Sequence, residues 1–236
     1  ENQQDKTVFV QNVTSGIKSI IHGDFEKVVL SRQKEIERTA NFNPIVHFQH
    51  LADTYPTVFC SLTYLPWTNE IWIGATPESL VSQDENGIFR TMALAGTQAG
   101  SHQNGEDILT ADALWRQKEI EEQALVSRYI INCFKKIRVR EFTEIGPKSV
   151  RAGNLIHLQT AFEVNTNEIE LPQLGSIMID LLHPTSAICG MPQKPALAFL
   201  KETENYDRSY YSGFLGPINI KNSTNLFVNL RTLRAT

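Results

Sequence analysis

The sequence predicts an α+β protein, and three observations support that class. Short β-branched or alternating runs gather between residues 57 and 94, helical patterns fall in groups of their own, and the two do not alternate as a doubly wound parallel sheet requires. The 236 residues, 41% apolar and 20% charged, are enough to bury a substantial core. No repeat and no Pro/Gly/Ser linker divides them, so a single domain over 1–236 is expected.

Residues 8–22 and 43–54 carry apolar positions at helical spacing and read as short amphipathic helices. "KVVLSRQKEIE", Lys27 to Glu37, is β-branched and then alternating, which predicts a strand. Strands follow at 57–65, 70–75, 79–83 and 88–94, with Pro66 and Asn86-Gly87 at the breaks. Residues 106–137 read as one long helix, with strands at 138–144 and 155–164. Helices near 173–181 and 193–203 and strands near 213–220 and 225–233 complete the chain.

Bulk properties exclude several classes. A formal net charge of -4 with scattered Lys and Arg gives no footprint for nucleic acid. Cys60, Cys133 and Cys189 are odd in number and lack CxxC spacing, which argues against a disulfide framework or a zinc site and for a reducing, cytoplasmic setting. No stretch approaches the roughly 18 apolar residues of a membrane span. The chain opens at Glu1 with the polar run "ENQQDK" and reads as a piece of a longer protein. Asn12-Val-Thr and Asn222-Ser-Thr match the glycosylation pattern but carry no secretory context.

Several residues sit awkwardly with an inside–outside rule, and such conflicts concentrate at functional sites. Lys27 shares a strand face with Val29; it is either a strand-end lysine reaching for water or a desolvated amine able to act as a base. Glu78, after Pro77 in "GATPESL", heads a strand as a solvated turn residue or as an acid. Glu119 and Glu122 fall on the stripe of the long helix that holds Trp115, Val126, Tyr129, Ile130 and Cys133. Two carboxylates at i and i+3 either bind a hard cation or mark an exposed first turn. His183, before Pro184, lies in a loop as a packing residue or a pocket wall. Arg231 alternates with apolar neighbours, on an exposed edge or facing a cleft where it could clamp a carboxylate. "MALAGTQAG" from Met92 brings small residues and bare backbone at Gly96 and Gly100.

Taken together, "KVVLSR" (27–32), "GATPESL" (74–80), "LAGT" (94–97), "KEIEEQALV" (118–126), "LLHPTSAICGMP" (181–192), "DRSYYSGFLG" (207–216) and "VNLR" (228–231) resemble the chorismate-binding enzymes, in order over about 200 residues. That family includes the isochorismate, salicylate, anthranilate and aminodeoxychorismate synthases. The resemblance implies two packed antiparallel β-layers with outer helices, the anthranilate synthase component I-like fold, and a Mg²⁺-dependent site between the layers. It implies that Lys27 deprotonates water and Glu78 protonates a departing hydroxyl. Glu122, with Glu119 beside it, is implied for the metal. Ala95, Gly96, Thr97, His183, Tyr211, Gly213 and Arg231 are implied around the substrate. Amine-adding relatives commonly have glutamine at the position of Lys27, and aminodeoxychorismate synthases a lysine at that of Ala95. Lys27 with Ala95 therefore resembles a water-adding isochorismate synthase of menaquinone or siderophore biosynthesis, an isomerase acting on free chorismate as a monomer. Salicylate synthase and a non-catalytic relative are the alternatives. Gln98 and Gln123 depart from the family's usual Arg and His or Asn. The family's Gly-rich stretch and later Glu-bearing helix have no counterpart, so an incomplete metal site and an inactive chain are expected of this piece.

Overall fold

The structure, a computed structural model, describes residues 3–101, 105–152 and 155–236. Its elements in order are α1 (Gln3–His22), β1 (Lys27–Val28), α2 (Pro44–Thr54), β2 (Phe59–Leu65), β3 (Glu70–Thr76), β4 (Ser79–Gln83), β5 (Ile88–Ala99), α3 (Gln117–Lys136), β6 (Thr143–Ala152), β7 (Leu155–Asn165), α4 (Leu174–Leu182), β8 (Gly190–Met191), α5 (Gln193–Thr203), β9 (Phe214–Leu215), β10 (Thr224–Val228) and β11 (Thr232–Ala235). The chain divides into two compact units, each assembled from two separate stretches. The first comprises Glu1–Phe42 and His183–Ser212, the second Asn43–Leu182 and Gly213–Thr236. The crossings fall at turns: Asn43 caps α2 by accepting from the Ile45 and Val46 N–H groups, and His183 precedes a proline. Turns of this kind leave no compositional mark, which is why the sequence reads as undivided.

In the first unit, β1 and β8 form a two-residue antiparallel ribbon, Lys27 opposite Met191 and Val28 opposite Gly190. Cys189, Ala196 and Leu200 form its core with Val28, Leu30 and Leu197, and Phe25 packs on Phe199 at 5.2 Å between rings. The strand expected over 27–37 is therefore only two residues long. Just past Val29, the Arg208 guanidinium takes the Val29 and Ile188 carbonyls, ending the ladder on both strands.

The second unit holds a six-stranded sheet ordered β6-β7-β5-β4-β10-β9 and a three-stranded sheet ordered β11-β3-β2, antiparallel throughout. On β5, Phe89, Thr91, Ala93 and Ala95 are buried in alternation, as a half-covered strand requires. Phe134 of α3 packs between Phe89, Phe142 and Phe162. Phe59 of the small sheet stacks on Phe227 of the large one, centroids 4.4 Å apart and planes within 2°. The expected α+β class with two packed antiparallel layers is present.

Four element expectations need correction. Residues 106–116 are not helical: Asp107 bridges Ser101, Ile108 N–H bonds back to Gly100, and only Thr110–Asp112 makes a single 3-10 turn. The strand expected at 138–144 starts at Thr143, because Arg138 at φ 62 first closes the end of α3. The strand expected at 213–220 stops after Leu215, where Asn219, Lys221 and Asn222 turn left-handed. The strand at 225–233 is two strands in different sheets, broken at Arg231 with φ 52. Arg231 thus stands exposed on a turn and not within a strand.

Candidate functional site

The first unit carries Lys27, His183 and Tyr211. Lys27 is half-buried, and its backbone lies against Gly190, whose φ of 144 is tolerated by glycine alone. A methyl group on Gly190 would overlap the Lys27 carbonyl oxygen and lie 2.8 Å from Ala196 Cβ. Arg208 organises this unit. It donates to both Glu204 carboxylate oxygens at 2.6 Å, to Val29 O at 3.0 Å, to Ile188 O at 2.6 Å and to Ser212 Oγ at 3.2 Å. Glu204 also accepts from the Ser31 N–H and hydroxyl at 2.8 and 2.9 Å. The Ser212 carbonyl in turn accepts from His183 Nε2 at 2.9 Å, and Tyr211 lies under the Arg208 guanidinium at 5.9 Å. One buried ion pair therefore ties the Lys27 segment to the turn bearing Tyr211 and His183's partner.

In the second unit, β5 is interrupted by a bulge. The β5–β7 register shifts between Ala95 and Thr97, and Gly96 sits there at φ 65. This is the geometry in which a glycine bulge re-aims backbone N–H groups. A methyl on Gly96 would lie 3.0 Å from Trp115 Cζ3 and 3.1 Å from Glu119 Cβ, so the bulge touches the start of α3 directly. Ala95, Gly96, Thr97 and Glu119 thus converge, with Glu122 one turn further along α3. Glu119 also accepts the Arg116 backbone N–H at 2.9 Å and its guanidinium at 2.6 Å. The Arg116 side-chain bond holds the Glu119 carboxyl below the usual carboxylate range.

Glu78 and Gly213 bracket the end of β10. Val228 N–H donates to Glu78 O at 2.9 Å and Asn229 N–H to Gly213 O at 2.8 Å. Arg231 follows on the same turn, its carbonyl accepting from Ala75 N–H at 3.2 Å. Glu78 itself is half-buried, as Pro77 and the Thr76 hydroxyl fix the turn at the head of β4.

Two residues that sequence reasoning passed over belong to this picture. His157 is 1% exposed; its Nδ1 meets Thr97 Oγ1 at 2.9 Å, and its Nε2 has no hydrogen-bond partner among the described residues. Burial, with the Arg231 charge second and a Gly96 backbone bond opposing, lowers its pKa below 6.5. A polar imidazole within the apolar "NLIHLQ" run was the available signal. Gln123, noted only as a departure, is 2% exposed and bonds Ala95, Ala93 and Thr160.

Among the described residues no three acidic, His or Cys side chains cluster as a metal site, and no helix is long and apolar enough to cross a membrane.

A family model described as "Chorismate binding enzyme" matches residues 1–235. The chain is similar to the vibriobactin-specific isochorismate synthase of Vibrio cholerae, 26% identical over 94% of this chain and 56% of that protein. It is likewise similar to the chloroplastic isochorismate synthase of Catharanthus roseus, 32% identical over 80% of this chain and 32% of that protein. The chain thus spans about half, or less, of these relatives' length. In fold it matches anthranilate synthase component I from Streptococcus pneumoniae, with a TM-score of 0.80 at 24% identity over 97% of this chain and 49% of the other. With residues 1–235 matched, the chain belongs to the chorismate-binding enzyme family.

Proposed function

We propose that the chain serves an isochorismate synthase: water adds to ring C2 of chorismate, the double bonds shift, and the C4 hydroxyl leaves. The observation that carries this reading is the bulge at Gly96. The residue beside it is Ala95, 6% exposed, so that position offers no side-chain amine as a nucleophile. Lys27, half-buried on β1, is the residue this reading assigns as the base for water. In this reading Lys27 takes a proton from the attacking water and Glu78 gives one to the departing hydroxyl, general acid–base roles each worth roughly 10²–10⁴ in rate. In the second unit the Gly96 and Thr97 N–H groups suit a substrate carboxylate, as does the Arg231 guanidinium, with Gly213 a further candidate contact; in the first unit Tyr211 suits a carboxylate and His183 the ring.

The donor chemistry of α3 fits Mg²⁺, which takes one or two carboxylates and fills its shell with water and substrate oxygens. Glu122 would hold it with Glu119 on the preceding turn; the ion would neutralise the ring carboxylate. Three free cysteines among the described residues suit a reducing, cytoplasmic setting.

The test is incubation of the full-length protein with chorismate and MgCl₂ in ¹⁸O-water, with product analysis by chromatography and mass spectrometry. Isochorismate carrying one ¹⁸O at C2 is expected, with turnover lowered at least about 100-fold by Lys27→Ala or Glu78→Gln. Unconsumed chorismate, or full activity in both variants, would refute the reaction. Release of pyruvate with salicylate would move the product to the alternative.

A further inference from the structure

Beyond Arg90, β5 has lost one of its neighbours. β4 pairs with β5 only at Ser82–Arg90 and Gln83–Phe89, whereas β7 follows β5 from Ile88 to Ala99. The edge of β5 away from β7 therefore carries backbone groups with no strand to meet them, in the stretch that leads into the bulge. Unpaired buried backbone groups are costly, so something must satisfy them.

One side chain meets two of them. Gln123 Oε1 accepts the Ala95 N–H at 2.9 Å, and Gln123 Nε2 donates to Ala93 O at 3.1 Å. These are the two bonds, flanking Leu94, that a residue on a parallel neighbouring strand would make, so the carboxamide meets the edge of β5 in place of the antiparallel β4. The second Nε2 proton goes to Thr160 Oγ1 at 2.8 Å, on the β7 residue opposite Ala93. The carboxamide's one acceptor and two donors are thus all engaged, in a side chain 2% exposed.

We infer that Gln123 is a positioning residue that stands in for the missing strand and fixes the Ala95–Thr97 bulge against the acidic turn of α3. Two features give this a functional edge. Gln123 directly follows Glu122, and Glu119, one turn earlier, packs on Gly96. The same helix turn therefore sets both the carboxylates and the direction of the Gly96 and Thr97 N–H groups. The inference rests on the proposed binding of a substrate carboxylate at the bulge.

The test pairs Gln123→Met, which keeps length and removes every polar contact, with Gln123→His, which restores one donor and one acceptor. Amide exchange is followed at residues 93–97 against the rest of the chain, and chorismate affinity by calorimetry. In the Met variant, Ala95 exchange rises and chorismate affinity falls, each about tenfold or more, as loss of one or two net hydrogen bonds implies. The His variant recovers part of both. Wild-type exchange at Ala95 in the Met variant, or a His variant no better than Met, overturns the inference. Were the Met variant to lose protection throughout, His decides alone: exchange raised only at 93–97, with the rest of the chain protected, supports it, and protection lost evenly along the chain overturns it. Failure of the unaltered protein to bind chorismate would instead defeat the proposed function, while the exchange rates still judge the bracing role.

Discussion

Replacing Arg208 by Met should be among the most damaging single changes in the first unit. The Glu204 side chain is 5% exposed and that of Arg208 18%, so neither charge can turn to bulk water. Without Arg208, Glu204 keeps the Ser31 N–H and hydroxyl among the described residues, while the Val29 and Ile188 carbonyls lose their Arg208 donor. Removing one partner of a buried pair costs about 3–5 kcal/mol. Each carbonyl left bare adds roughly 1 kcal/mol where water cannot reach it. A loss of about 5–7 kcal/mol is therefore expected, a large share of the roughly 5–15 kcal/mol that holds a domain folded. The assay is urea denaturation of Arg208→Met, Glu204→Gln and the double variant. In the double variant, uncharging Glu204 should return at least about 1 kcal/mol of what the single changes lose in sum. A cost below about 1 kcal/mol for Arg208→Met, with strictly additive effects, would refute the reasoning by showing the pair to behave as a surface ion pair.

Further outcomes follow from the backbone and from one imidazole. Gly190→Ala should destabilise the first unit by about 3 kcal/mol or more, since a glycine-only φ and an overlap with the Lys27 carbonyl combine; a wild-type urea midpoint would contradict this. Gly96→Ala should cost about 1–2 kcal/mol for the left-handed backbone and shift Trp115 fluorescence, because Trp115 and Glu119 must yield a few tenths of an ångström; an unchanged spectrum and midpoint would count against the packing described. For His157, the folded chain resists a proton that the unfolded chain accepts near pH 6.5. Its contribution is thus intact above pH 6.5 and lost as pH falls, at up to about 1.4 kcal/mol per pH unit. His157→Gln should flatten the stability profile below about pH 6.5, and superimposable profiles would dispose of this account.

Local periodicity was a good guide where an element is paired along its whole length. β2, β3, β4 and β7, and the helices α2 and α5, lie within two residues of where alternation and helical spacing put them. It misled where a side chain ends an element from a distance. The alternating run after Lys27 has strand character, yet Arg208, far along the chain, takes the carbonyls that would extend the ladder. The apolar alternation through Leu230 concealed a left-handed turn at Arg231, because φ is set by the switch between sheets and not by hydropathy. The candidate residues were legible as short motifs, but their supports were not. Gln123 looked like a bare departure until Ala93, Ala95 and Thr160 appeared around it. His157 carries no motif of its own and acquires meaning only through the register that sets it beside Thr97.

The threading of the chain through its two units has a consequence for biosynthesis. Lys27 finds its antiparallel partner in Met191, and Val29's carbonyl finds its donor in Arg208. On the ribosome, the segment bearing the candidate base emerges early and must wait, unpaired, while Asn43–Leu182 is synthesised. That intervening stretch contains β2 to β7 and can begin to pair within itself. Folding should therefore run from the middle of the sequence outward, and the Lys27 ribbon should close last.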